Sequence, residues 1–134
     1  MKIELAKSEI IHFIGIGGIG MSGLALIMKG MGFKIQGSDI SSNKNIERLK
    51  KNNVKVIIGH TRKNINKATI IVISSAIKNN NPEVLFAKKK QLPIYKRGDM
   101  LGHITSLTKN ITVVGSHGKT TTTSLISGIF SKTK

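Results

Sequence analysis

Between Phe13 and Gly23 the chain reads FIGIGGIGMSG, with four glycines inside six positions at the end of an apolar run. Glycine loses more conformational freedom on folding than any other residue, so a cluster this dense serves something that a side chain would obstruct. The usual case is close approach of the backbone to a ligand. Upstream, EIIHFIGI is apolar and rich in β-branched residues, as suits a strand buried on both faces. Downstream, Ile19, Leu24, Ile27, Met28 and Met31 recur at roughly the helical period, with Gly30 and Gly32 as stop signals. Strand, glycine loop and helix follow in order.

Gly15, Gly17 and Gly20 fit G-x-G-x-x-G, whose glycines serve a tight turn, the approach of a pyrophosphate and helix-to-strand packing. Phosphate would sit on the free N–H groups of the helix start, where the dipole also favours an anion. The next strand, FKIQGSD, ends in Asp39, 19 residues past Gly20 and close to where this fingerprint places a ribose-binding acid. By itself the glycine pattern also describes an ordinary tight turn. The strand, the helix and Asp39 in register point to a phosphate-ligand site.

Beyond Asp39 the pattern alternates: NIERLKKNN as a helix, VKVIIG and ATIIVISSA as strands, NPEVLFAKKKQ as a helix, LPIYK as a short strand. This predicts an α/β fold, a Rossmann-like parallel sheet with helices on both faces. In such sheets ligands bind beyond the carboxyl ends of the strands, so loops beginning at Gly15, Ser38, Gly59, Ser74 and Lys96 should open toward one crevice. Ser74 and Ser75 there either offer hydroxyls and N–H groups to the ligand or form an ordinary strand-to-helix turn. His60 would lie at the same edge, though a lone histidine is usually a surface residue. Arg97 is the one arginine in the second half of the chain, and its planar fork suits phosphate or carboxylate. His12, in the first strand, and His103, in a helix, are read as structural.

Composition narrows the function classes. The 134 residues allow one domain with a proper core and the beginning of a second. The chain has no cysteine, which excludes a disulfide framework and a thiolate metal site. No apolar run reaches membrane-spanning length and MKIELAKSE lacks the apolar core of a signal peptide, so a cytoplasmic protein without membrane association is expected. The net charge of +16 raises the prospect of nucleic acid. The lysines are scattered, however, and one tyrosine and four phenylalanines offer little base stacking. Isoleucine and asparagine are abundant alongside lysine, a joint bias typical of codon usage. The expectation is solvated helix faces and no nucleic-acid partner; nothing in the sequence bears on oligomeric state.

A second glycine loop lies in NITVVGSHGKTTTTSLISGIF, residues 110–130. A β-branched strand is predicted to run into Gly115, followed by a loop with Gly118, Lys119 and Thr120 and then an apolar helix. These are the mechanics of a P-loop: N–H groups cradle phosphates, Lys119 reaches the terminal phosphates, and the Thr120 hydroxyl is placed for magnesium. The spacing departs from G-x-x-x-x-G-K-[ST], because Gly115 stands only three positions before Gly118.

Taken in order and spacing, HFIGIGGIGMSG, GSD, SSAIKNNNPE, KRGDML and VVGSHGKTTTT resemble the N-terminal part of the Mur ligase family, in the branch that joins L-alanine to UDP-N-acetylmuramate. The likeness runs from about Ile10 to Thr123. It departs at Gly98 and Gly102, where a helix with alanine is usual and each glycine costs roughly 1 kcal/mol, and at Ser116, where threonine is common.

The resemblance implies that the first domain binds the UDP part of UDP-N-acetylmuramate rather than a dinucleotide. Gly15, Gly17, Gly18, Ile19 and Gly20 would hold the diphosphate. Asp39, Ser74, Ser75 and His60 would line the uridine side, with Met21, Ser22, Ser38, Ala76 and Arg97 in the same UDP-sugar site. ATP and Mg2+ would bind at Gly115, Ser116, His117, Gly118, Lys119, Thr120 and Thr121, with Thr120 at the metal. Lys119 and Thr120 would be the catalytic pair while ATP phosphorylates the muramoyl carboxylate and L-alanine attacks the acyl phosphate. Family members are several times longer. Residues 1–107 would then be the UDP-binding domain and 108–134 the start of a truncated ATPase domain, inactive alone. The alternative is a stand-alone NAD-binding regulatory or oxidoreductase module, for which a second phosphate loop has no use.

Overall fold

The computed structural model describes residues 3–115. Five strands, β1 (Ile10–Ile14), β2 (Lys34–Asp39), β3 (Lys55–Ile58), β4 (Ile70–Ile73) and β5 (Ile94–Lys96), form one sheet in the order β3-β2-β1-β4-β5. Every neighbouring pair is parallel; Phe13, for example, lies opposite Gly37 on one side and Val72 on the other. Among the described residues four helices connect and flank the strands: α1 (Ile19–Gly30), α2 (Lys44–Lys51), α3 (Pro82–Lys89) and α4 (Arg97–Gly115). A 3-10 turn at Arg62–Ile65 was not legible in the sequence.

Side chains alternate across a strand, and both faces of this sheet are covered, so β1 and β4 are apolar almost throughout. Ile11, Phe13, Ile70 and Val72 join a core built with Leu24, Ala25 and Met28 of α1, Leu49 of α2, and Met100 and Ile104 of α4. On the opposite face, Ile14 and Ile71 pack with Ile65, Val84 and Ala87, under α3 and the 3-10 turn. His12 points the same way and is fully buried.

The chain leaves β1 toward β2 and β3 on one side and returns to β4 on the other. That reversal is the topological switch point, where a crevice opens beyond the strand ends. Glycine makes two close approaches near it. Gly15 turns the chain at φ +84°, and a Cβ at Gly37 would lie 2.5 Å from Ile16 Cδ1 and 2.7 Å from the Phe13 carbonyl.

The carboxyl-terminal part departs from expectation. A strand is predicted over 110–114, whereas α4 runs unbroken through Gly115 and across the boundary expected after residue 107. A strand needs a ladder partner, while a helix satisfies its backbone polar groups within the segment. Ser116, His117, Gly118, Lys119, Thr120 and Thr121 lie outside the described residues. Among those described, no helix is long and apolar enough to cross a membrane.

Candidate functional site

A cleft of about 500 Å³ opens at the carboxyl edge of the sheet. It is lined from β1 by Gly15, Gly17 and Gly18, from β2 by Asp39, Ile40 and Asn43, from β3 by His60, and beyond β4 by Ser74, Ala76 and Lys78. Four of the five expected loops thus meet there. The fifth does not line it: its Arg97 instead crosses Gly20, where a Cβ would lie 3.1 Å from both Arg97 Cδ and Nε.

The start of α1 is the site's main donor group. Its N-cap is Gly18, there is no side-chain cap, and its first turn carries no acid. Helix starts leave N–H groups without intrahelical partners, and here no side chain takes their place. Together with the dipole and the Arg97 guanidinium, these groups make a positive end suited to a phosphate. Ile19 stands at this end 85% exposed, whereas Met21 and Ser22 turn inward and are buried. Ser22 Oγ donates to the Ile19 carbonyl at 3.2 Å.

Gly17 has a different job from the one its motif suggests. Its N–H donates to Asp39 Oδ2 at 2.7 Å, and its carbonyl accepts from Asn43 Nδ2 at 3.1 Å and Asn45 Nδ2 at 2.9 Å. A Cβ there would lie 2.7 Å from Asp39 Oδ2 and 3.0 Å from Ile46 Cδ1. The missing side chain makes room for protein, and the polar groups of Gly17 are occupied by it. Asp39 Oδ1 also accepts from the Ile40 N–H at 2.7 Å. The expected ribose acid therefore braces the glycine loop while facing the cleft.

Ser74 lines the cleft; Ser75 is exposed and does not. Ser38 is fully buried below it, inside a polar network that the sequence reading missed. The hub is Glu83, also fully buried. His12 Nε2 stands 2.5 Å from Oε1, which also accepts from Ser38 Oγ at 2.8 Å. His60 Nδ1 and Asn64 Nδ2 each stand 2.9 Å from Oε2. Burial alone would raise the Glu83 carboxyl, but hydrogen bonds from His12, Asn64 and Ser38 outweigh it and hold the group below its ordinary value. In the sequence Glu83 is simply the acid of a helix's first turn, and its partner His12 is 71 positions away.

The Mur ligase family, catalytic domain, matches residues 10–109 of the chain. A UDP-N-acetylmuramate--L-alanine ligase of Pelagibacter ubique is 78% identical over the whole chain, which spans 29% of that relative. The enzyme of the same name from Aquifex aeolicus is 53% identical over 88% of the chain and 26% of its own length. Among solved structures, UDP-N-acetylmuramate-alanine ligase from Thermotoga maritima superposes with a TM-score of 0.67 at 31% identity, over 75% of this chain and 23% of that one. The chain thus spans less than a third of these relatives' length. With the glycine loop, the parallel sheet and the switch-point cleft all inside the matched segment, the chain belongs to the Mur ligase family.

Proposed function

We propose that this domain holds the UDP part of UDP-N-acetylmuramate for a ligase that joins L-alanine to it in peptidoglycan precursor synthesis. The observation that carries the reading is the start of α1, without a side-chain cap or acid, set at the cleft and crossed by Arg97. The N–H groups of Ile19, Gly20 and Met21 would bind the diphosphate, with Arg97 balancing its charge. Asp39, Asn43 and Asn45 keep the loop in place through Gly17. The nucleoside would extend past Asp39 toward His60, and Ser74 and Ala76 would close the β4 side.

The names of the relatives support the substrate, and nothing among them favours a stand-alone NAD module. The reaction further calls for ATP and Mg2+, which supply carboxylate activation; Lys119 and Thr120 are the residues proposed to meet them. A cytoplasmic site of action follows from the soluble precursors such a reaction uses. Calorimetric titration of the 134-residue chain with UDP-N-acetylmuramate, UDP and NAD tests the reading. Both uridine ligands should bind more tightly than NAD, and equal or tighter NAD binding would refute it.

A further inference from the structure

Among the described residues the UDP reading leaves two fully buried ionisable side chains unused, His12 and Glu83. The two Glu83 oxygens receive four donors, His12 Nε2 and Ser38 Oγ on Oε1, and His60 Nδ1 and Asn64 Nδ2 on Oε2. A carboxylate offers about four lone-pair sites, so no place remains for a proton of its own.

The positions of the remaining hydrogens follow from their partners. Gln36 Nε2 gives one hydrogen to the Asn64 carbonyl at 2.9 Å and the other to His12 Nδ1 at 2.8 Å. His12 Nδ1 therefore accepts, and its Nε2 carries the hydrogen that meets Glu83. Ser38 has a single hydroxyl hydrogen, and it points at Glu83. Toward His60 Nδ1, at 3.1 Å, Ser38 Oγ can only accept. His60 Nδ1 must then carry a hydrogen, shared between Glu83 and Ser38. The side chain of His60 is 15% exposed and lines the cleft, and Nε2 is the ring nitrogen left for it.

We propose that Glu83 is a positioning residue for ligand recognition: from beneath the cleft it holds His60 with Nδ1–H inward, so that Nε2 meets the nucleoside side of the bound ligand. The proposal rests on the reading of the cleft as a UDP site. A carboxylate behind an imidazole fixes both its tautomer and its orientation. Ordering the ring during folding removes that entropy cost from binding, which a freely turning ring would still incur.

The test uses ¹H–¹⁵N NMR of the His60 ring in the ligand-free 134-residue chain, with UDP titrations of the native chain and of Glu83→Gln. A glutamine has one accepting and one donating end and cannot receive all four donors. The native ring should show a hydrogen on Nδ1. In Glu83→Gln that signal should change and UDP affinity should fall roughly tenfold, the equivalent of one well-placed hydrogen bond. Should Glu83→Gln not fold, Glu83→Asp, which keeps the charge and withdraws it by one methylene, carries the same two readouts. A native Nδ1 without hydrogen would overturn the proposal. So would a folded variant with a changed His60 signal and native affinity, or one that loses affinity with the signal unmoved, which marks a merely structural role. If UDP fails to bind the native chain, the cleft reading itself fails and the positioning role falls with it.

Discussion

The starts of α1 and of α2 and α3 answer the same physical demand in opposite ways. At α2, Asn43 Oδ1 accepts from the Ile46 N–H at 2.9 Å and Glu47 stands in the first turn. At α3, Asn81 Oδ1 accepts from the Glu83 N–H at 2.9 Å, proline occupies the first turn and Glu83 supplies the acid. Both helices meet their free donors and their dipole from within the chain. At α1 a glycine takes the capping position and no acid follows. Where stability alone decides, the chain caps its helices. The bare start faces the cleft, as the proposed diphosphate site requires. The capped starts also serve the bare one, since Asn43 holds Gly17 with its amide nitrogen while its oxygen caps α2.

The largest effect should come from removing the inward-turned acid of α3. Glu83→Ala leaves His12, Ser38, His60 and Asn64 facing a hole in a buried site and, with several donors each losing an acceptor at about 1–3 kcal/mol, should cost at least about 3 kcal/mol, measured by urea unfolding at neutral pH. A loss below about 1 kcal/mol would show that Glu83 is no more than an ordinary first-turn acid. The same group dictates an acid response. Its folded pKa is depressed, so its contribution is present above the ordinary value of 4.5 and is lost as pH falls through the lower folded value. The native chain should therefore lose stability on acidification in a range where the Glu83→Ala curve is flatter.

Gly17→Val comes next. The new side chain would displace Asp39 and Ile46, which stand within 3.0 Å of its Cβ, so both stability and binding should suffer. The expected cost is about 1–3 kcal/mol, with UDP binding abolished by calorimetry. The motif alone predicts a loss of binding in an intact fold, and the brace through Asp39 predicts both losses. Native UDP affinity in this variant would remove the loop from the site.

The smallest effect on the fold, and the sharpest on the comparison, belongs to Gly18→Asp. Gly18 has φ −65° and ψ 153°, and the nearest atom to a Cβ there is the Gly15 carbonyl at 3.8 Å, so the residue fits. It would give α1 the cap that α2 and α3 already have. Stability should rise by a few tenths of a kcal/mol, while UDP affinity falls at least tenfold as the carboxylate takes the donors meant for phosphate. Raised stability with unchanged affinity would show that the α1 start is not the anion site.

The sequence was sufficient for most of the architecture because its signals are local. The β-branched runs at Ile10–Ile14 and Ile70–Ile73, the Asn-Pro step before α3 and the glycines after β1 each act within a few residues, and the first five of the six predicted strands and the helices between them are present. Gly15, Gly17, Gly18, Asp39, His60, Ser74 and Ala76 at the cleft were legible for the same reason, since a parallel sheet delivers its loops to one edge, whereas Ile40, Asn43 and Lys78, which also line it, were not. The 110–114 strand was not. β-branched residues favour a strand only where a neighbour supplies a ladder, and the helix of α4 needs none.

By itself, then, the sequence determined the αβ alternation, the glycine turn at Gly15 and the exposed donors of α1, all consequences of periodicity and backbone freedom. Only the tertiary structure decided what those residues do. Gly17 is glycine because Asp39 and Ile46 approach it, Arg97 lies across Gly20 from the start of α4, and Glu83 looks inward to His12 and His60. Each of these is a contact between residues more than twenty positions apart, set either by close packing against a glycine or by buried polar groups that must find partners there. No local pattern encodes which partner that will be, because only the packed sheet brings the partners together.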